Sequence, residues 1–303
     1  MAQTQTNTSR PIHPLALSLE ACKTDDVSLI AQAVLIASSP ESRNTVQEVI
    51  QNGLRRSVAR SATRVLSYLL DQGADISTIT AGTIMSKDEL VKPSREVLEI
   101  LIAHGWDIDS RGADSTNWPL PWYVIRYPDL LVWCLANGAS VDLPGDIPPV
   151  LEIAAAEGTV VSFELLRARG ASLGRRTLHR AVEQAAIYAP ADDNSVLTAL
   201  FEQRMDMVRH LVDIVGLDVN AEELCPGKFC RTPLCYVACR NDGKDARELI
   251  WFLLDRGADP NSVGPLVGNI RAPSAQHAQS SRNTRFQEAV KEWQARQHDN
   301  TAR

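Results

Sequence analysis

The 303-residue chain contains no apolar run approaching the roughly 20 residues that cross a bilayer, so no membrane span is expected. It also lacks runs of lysine and arginine: Arg55-Arg56 and Arg175-Arg176 are isolated pairs in a chain of net charge −6. Replacing the counterions of a phosphate backbone takes clustered cations, so nucleic acid is not expected as a direct partner. Met1 to Pro14 is polar and has none of the apolar character of a secretory leader. The six cysteines are therefore expected as reduced thiols, in the cytosol or nucleus. No P-loop, dinucleotide fingerprint, H-E-x-x-H helix or calcium loop occurs. Standard enzyme chemistry has no foothold, and no cofactor is expected. Hydrophobic residues still make up 44% of the chain, which is ordinary for folded protein.

What the chain does have is a phrase that returns. An apolar stretch ends in Gly, followed by a small residue or Trp and often by Asp. It reads Leu69-Leu70-Asp71-Gln72-Gly73-Ala74-Asp75 and Leu101-Ile102-Ala103-His104-Gly105-Trp106-Asp107, and returns around Gly138, Gly170 and Gly257. The first four glycines lie 32, 33 and 32 residues apart. A fixed period of this length indicates stacked supersecondary units.

One unit can be read position by position. In Arg231-Thr232-Pro233-Leu234-Cys235-Tyr236-Val237-Ala238, Thr232 is placed to cap a helix and Pro233 suits the first turn, where its missing N–H costs nothing. Leu249 to Asp259 carries the second helix; Gly257 supplies a left-handed stop and Pro260 blocks continuation. This helix–turn–helix–Gly pattern resembles the ankyrin repeat, whose signature is T-P-L-H-x-A with a later G-A-D. Thr177-Leu178-His179-Arg180-Ala181 and Leu151 to Gly158 keep parts of the same signature, and Trp118-Pro119-Leu120 keeps one step.

The resemblance implies an all-α solenoid of about seven degenerate repeats with short hairpin loops. Helix pairs are expected over 13–38, 41–77, 78–109, 117–142, 148–173, 175–220 and 231–262. Residues 1–12 read as a flexible terminus, 13–262 as the array, 263–283 as a linker and 284–303 as a final helix and tail. An insertion of roughly a dozen residues near 187–201 reads as an edge loop. Phe286, Ala289, Val290 and Trp293 give the final helix one apolar stripe, suited to capping the last repeat or to docking on a partner.

Two motifs invite chemistry. Gly170-Ala171-Ser172-Leu173-Gly174 fits G-x-S-x-G, but it follows a helix and coincides with a periodic Gly stop, so it reads as a repeat connection. Cys225, Cys230, Cys235 and Cys239 are spaced too loosely for a structural zinc, and no metal site is expected. For His179 the resemblance implies a hydrogen bond tying adjacent units, with a catalytic base as the weaker alternative. Trp106, Trp118, Trp122, Tyr123, Tyr127 and Trp133 crowd into 28 residues of a chain that is 5% aromatic. They either fill the stack or line a pocket.

The resemblance implies protein–protein interaction, with a partner protein on the concave surface. By its pattern that surface takes Ile125, Arg126, Ala156, Glu157, Glu183, Gln184, Cys239 and Arg240, with Asn117, Arg175 and Arg231 at the loop edge. The alternative is a solenoid adapted to bind or transform a small molecule at the aromatic cluster, through Trp118, Trp122 and Tyr123.

Overall fold

The computed structural model describes residues 13–85, 92–111, 117–144, 147–191, 195–223, 232–240, 243–261, 263–266, 270–273 and 283–301. The helices come in successive pairs, most of them closed by a glycine. These are α1 (Pro14–Thr24) with α2 (Val27–Ala37), α3 (Val46–Arg60) with α4 (Thr63–Asp71), and α5 (Ala81–Ile84) with α6 (Arg95–Ala103). Next come α7 (Leu120–Val124) with α8 (Pro128–Ala136) and α9 (Val150–Glu157) with α10 (Val160–Ala168). The last pairs are α11 (Thr177–Tyr188) with α12 (Ser195–Arg209) and α13 (Pro233–Ala238) with α14 (Arg247–Asp255), before a final helix α15 (Thr284–Thr301).

Among the described residues, every longer element is helical. One short antiparallel hairpin, β1 (Val263–Leu266) with β2 (Ile270–Pro273), sets Val263 opposite Pro273 and Leu266 opposite Ile270. It lies within the stretch expected as a linker. The β-branched Val263 and Ile270 on either side of Gly268-Asn269 carry a hairpin signal that the surrounding Ser- and Gln-rich composition obscures.

Each helix stop works the same way. Gly73, Gly105, Gly138, Gly170 and Gly257 hold φ between 81° and 88°, the left-handed region. The next residue then donates back five positions: Ala74 N to Leu69 O at 3.0 Å, Trp106 N to Leu101 O at 2.9 Å, Ala258 N to Leu253 O at 3.0 Å. Each bond satisfies a carbonyl that the helix end would otherwise leave bare. Gly216, at φ 78°, is a further stop of this kind. It stands one residue farther from Leu211 than Gly257 does from Leu253. The chain absorbs the extra residue as a single π turn over His210–Ile214.

The chain divides into two compact units, Met1–Val124 with Trp133–Ala139 and Ile125–Val132 with Ser140–Arg303. In the first, Asp25 sits in the tight α1–α2 turn at φ 51° and caps α4 of the next pair, accepting from Arg64 N at 3.2 Å and Val65 N at 2.9 Å. Its core is aliphatic, with Ile30, Leu54, Leu66, Leu69, Leu98 and Leu101 fully buried.

In the second unit the connections are linked in the same manner. Ser172 Oγ donates to the Asp142 carboxylate at 2.7 Å. Asn220 donates to Gly257 O at 2.8 Å and accepts from Asp259 N at 2.9 Å. The stripe of α15 lies on the last pair: Phe286, Ala289 and Val290 are buried. Trp251 Nε1 donates to Ala289 O at 2.9 Å and Trp293 Nε1 to Asp255 Oδ1 at 2.7 Å. Burying Phe286 and Val290 contributes about 1.5–3 kcal/mol each.

Candidate functional site

The residues expected to face a partner separate into two sets. Ile125, Ala156 and Trp122 are 0%, 4% and 2% exposed, so no partner reaches them. This corrects the expected surface: Trp122 on the short α7 and Ala156 on the short α9 are taken into the core, and Ile125, just past α7, is buried as well. Arg175 is exposed, and Asn117, Arg126, Glu157, Glu183, Gln184, Cys239, Arg240, Trp118 and Tyr123 are half-buried. Arg126 Nη2 donates to Glu157 Oε2 at 2.7 Å, which holds together two members of the strip. Glu183 instead pairs within α11, with Arg180 at 3.5 Å. Arg231 lies outside the described residues, as do Cys225 and Cys230.

The aromatic cluster is largely structural. Trp106 is buried and its indole donates to Ile79 O at 2.9 Å. Arg95 lies over the Trp133 ring at 5.8 Å. Trp118 and Tyr123 meet at the surface with centroids 6.0 Å apart.

A polar network is buried where α9, α11 and α13 meet. Glu152 Oε1 accepts the N–H of Arg176 at 2.8 Å, anchoring the first turn of α11. Arg176 Nε lies 2.7 Å from Glu223 Oε1, and the Tyr236 hydroxyl donates to the other Glu223 oxygen. Burial, followed by that carboxylate, pushes the Tyr236 phenol up to about 12. His179 Nε2 donates to Ala221 O at 2.9 Å, a tie to the connection before the next pair, and its ring stands edge-on to Tyr236. Thr232 does not cap α13 with its side chain; its hydroxyl turns to Cys235 Sγ at 3.5 Å. Buried Arg204 donates to Gly158 O at 2.8 Å and Glu157 O at 3.1 Å, closing the carbonyl end of α9. Among the described residues no three His, Cys, Asp or Glu side chains gather as metal ligands, and no helix is long and apolar enough to cross a membrane.

A groove lies elsewhere in the second unit. It runs between α12, α14 and α15 and has a volume of about 760 Å³. Phe201 and Met205 from α12 and Trp251 and Phe252 from α14 form its apolar wall. Five arginines (209, 247, 256, 285 and 296) and three carboxylates (Asp245, Glu248 and Asp255) line the rest. Comparison with protein-family models and with curated proteins returns no match.

The sequence does carry the signal for this groove. Arg247 and Trp251 are four apart on α14, as are Phe252 and Arg256, so each aromatic receives a cation from its own helix face. The guanidinium of Arg247 lies 5.8 Å from the Trp251 ring, and that of Arg256 lies 4.4 Å from Phe252. Pro190 and Ala191, from the expected insertion, form one rim. Asp245 N donates to Pro190 O at 2.7 Å and holds that rim in place.

Proposed function

We propose that the chain is an ankyrin-type helical repeat that works as a protein–protein interaction scaffold. The reading rests above all on the ladder of ties between consecutive pairs, Asp142 with Ser172, His179 with Ala221, and Asn220 with Asp259. Units held this way bury their helices against neighbours and leave the ends of their first helices side by side at the surface. On this reading the strip takes Glu157 at the end of α9 with its partner Arg126, Glu183 and Gln184 midway along α11, and Arg240 just past α13. Charges of both signs favour a partner of matching polarity, which serves specificity and encounter rate more than affinity. The reading places the chain in a reducing compartment, cytosol or nucleus. The small-molecule alternative loses ground because Trp106 and Trp122 are engaged in the core.

The test exchanges one ion pair. Arg126→Glu with Glu157→Arg preserves an internal pair while inverting the charge that a partner meets. A photo-crosslinking residue at position 184 identifies the partner, and calorimetry with the purified partner measures affinity. Loss of binding in a normally folded swap variant is expected; unchanged affinity overturns the assignment of this surface.

A further inference from the structure

We infer that the α12–α14–α15 groove is a second docking site, made for an acidic peptide segment of another protein with an apolar anchor residue. The groove is built from second helices and α15 rather than from first-helix ends, so its failure leaves the first-helix strip untouched.

The charges of the groove are unequally engaged. Arg209 reaches Asp206 at 3.0 Å and also pairs with Glu248. Arg247 lies 3.2 Å from Glu292, and Arg256 holds both oxygens of Asp213 at 3.1 Å. Arg285 and Arg296 are exposed, and neither has a carboxylate within ion-pair distance among the described residues. The groove therefore offers two uncompensated cations beside an aromatic wall.

The placement of these two is informative. Arg296 lies 4.4 Å above the half-buried Trp251 ring. A guanidinium stacked on an aromatic face keeps its N–H donors in plane and directed outward, in a fork that fits a carboxylate. Arg256 stacks on Phe252 in the same way, but its donors are already occupied by Asp213. Arg296 is thus the stacked fork left open.

Arg285 stands in the first turn of α15, where the helix dipole disfavours a cation, and no acidic residue in that turn offsets it. An incoming anion relieves that local cost. Two carboxylates of a ligand then meet Arg285 and Arg296, and an aromatic or large aliphatic side chain between them packs on Trp251. Glu248 is engaged by Arg209 and Asp255 by the Trp293 indole, which leaves two cations for two discrete carboxylates and too few for the continuous charge of a polyphosphate backbone, and this favours a peptide over nucleic acid.

Panning a random peptide library on the full-length protein tests this. Enriched peptides are expected to carry Asp or Glu on both sides of an apolar residue. In fluorescence anisotropy their affinity is expected to fall about tenfold or more with Arg296→Ala, since interface arginines concentrate binding energy. Arg296→Lys, which keeps the charge but loses the fork, is expected to recover only part of it, and Arg43→Ala, at an exposed position of the first unit, to change nothing. Melting temperatures check that these surface variants fold. Enrichment of neutral or basic peptides, or full affinity in an Arg285→Ala/Arg296→Ala double variant, overturns the proposal. So does a single-stranded oligonucleotide that binds more tightly than the peptides and is lost with the same variants.

Discussion

Gly174→Ala tests how the buried network is built. A Cβ at Gly174 would fall inside the van der Waals radii of the Glu152 carboxylate and its Cγ. Glu152 is 5% exposed and cannot swing into solvent without repacking. The variant therefore displaces the carboxylate from Arg176 N, losing a charged hydrogen bond of about 1.5–3 kcal/mol. Overpacking adds about 1–3 kcal/mol. The sum is about 2.5–6 kcal/mol, and a protein of this size loses about 2–4 °C in Tm per kcal/mol. In a Glu152→Ala background the obstructing atoms are gone, and the same Gly174→Ala change is expected to cost less than about 1 kcal/mol. Thermal melts of the four proteins give the coupling, and hydrogen exchange locates the loss in α9 and α11. If the two substitutions add independently, the account of Gly174 is wrong.

Tyr236, with its phenol pushed up to about 12, is charged later in the folded protein than in the unfolded chain. Its contribution to stability is present below pH about 10 and lost as pH climbs toward 12, so the stability gap between the native protein and Tyr236→Phe is expected to close over that window in pH-dependent urea melts. Burial raises the Cys134 thiol to about 12 and the Cys22 thiol to about 11. Iodoacetamide near pH 8 is expected to alkylate half-buried Cys239 before either, as read by mass spectrometry. Arg204→Met removes two hydrogen bonds from the carbonyl end of α9 and is expected to cost about 2–4 kcal/mol in urea unfolding; a neutral result would refute the capping role.

Much of the helical order was legible in the sequence because the Gly stops are chemically explicit. Gly73, Gly105, Gly138, Gly170 and Gly257 each need a positive φ, and that need is written in one letter. Gly216 escaped the pattern because the insertion near 187–201 moves it off the period and Leu217 follows it in place of a small residue; the one extra residue after Leu211 went into the π turn. The site was less legible. Aligning by repeat placed Ile125 and Ala156 outward, but Ile125 comes just after α7 has ended, and in α9 the inward stripe widens to take Ala156. The groove rests on Arg296, whose position over Trp251 depends on how α15 docks, and no local pattern states that.

The docking of α15 also gives the protein an optical property. Of its six tryptophans, four fall within 106–133, while Trp251 stands on α14 and Trp293 on α15. Both indole N–H groups of that outer pair are held across the α14–α15 boundary, by Ala289 O and by Asp255. Lifting α15 breaks both bonds and wets both rings. With the four inner tryptophans replaced by phenylalanine, a red shift in emission would report detachment of the last helix, and occupancy of the neighbouring groove would be read as quenching without a label.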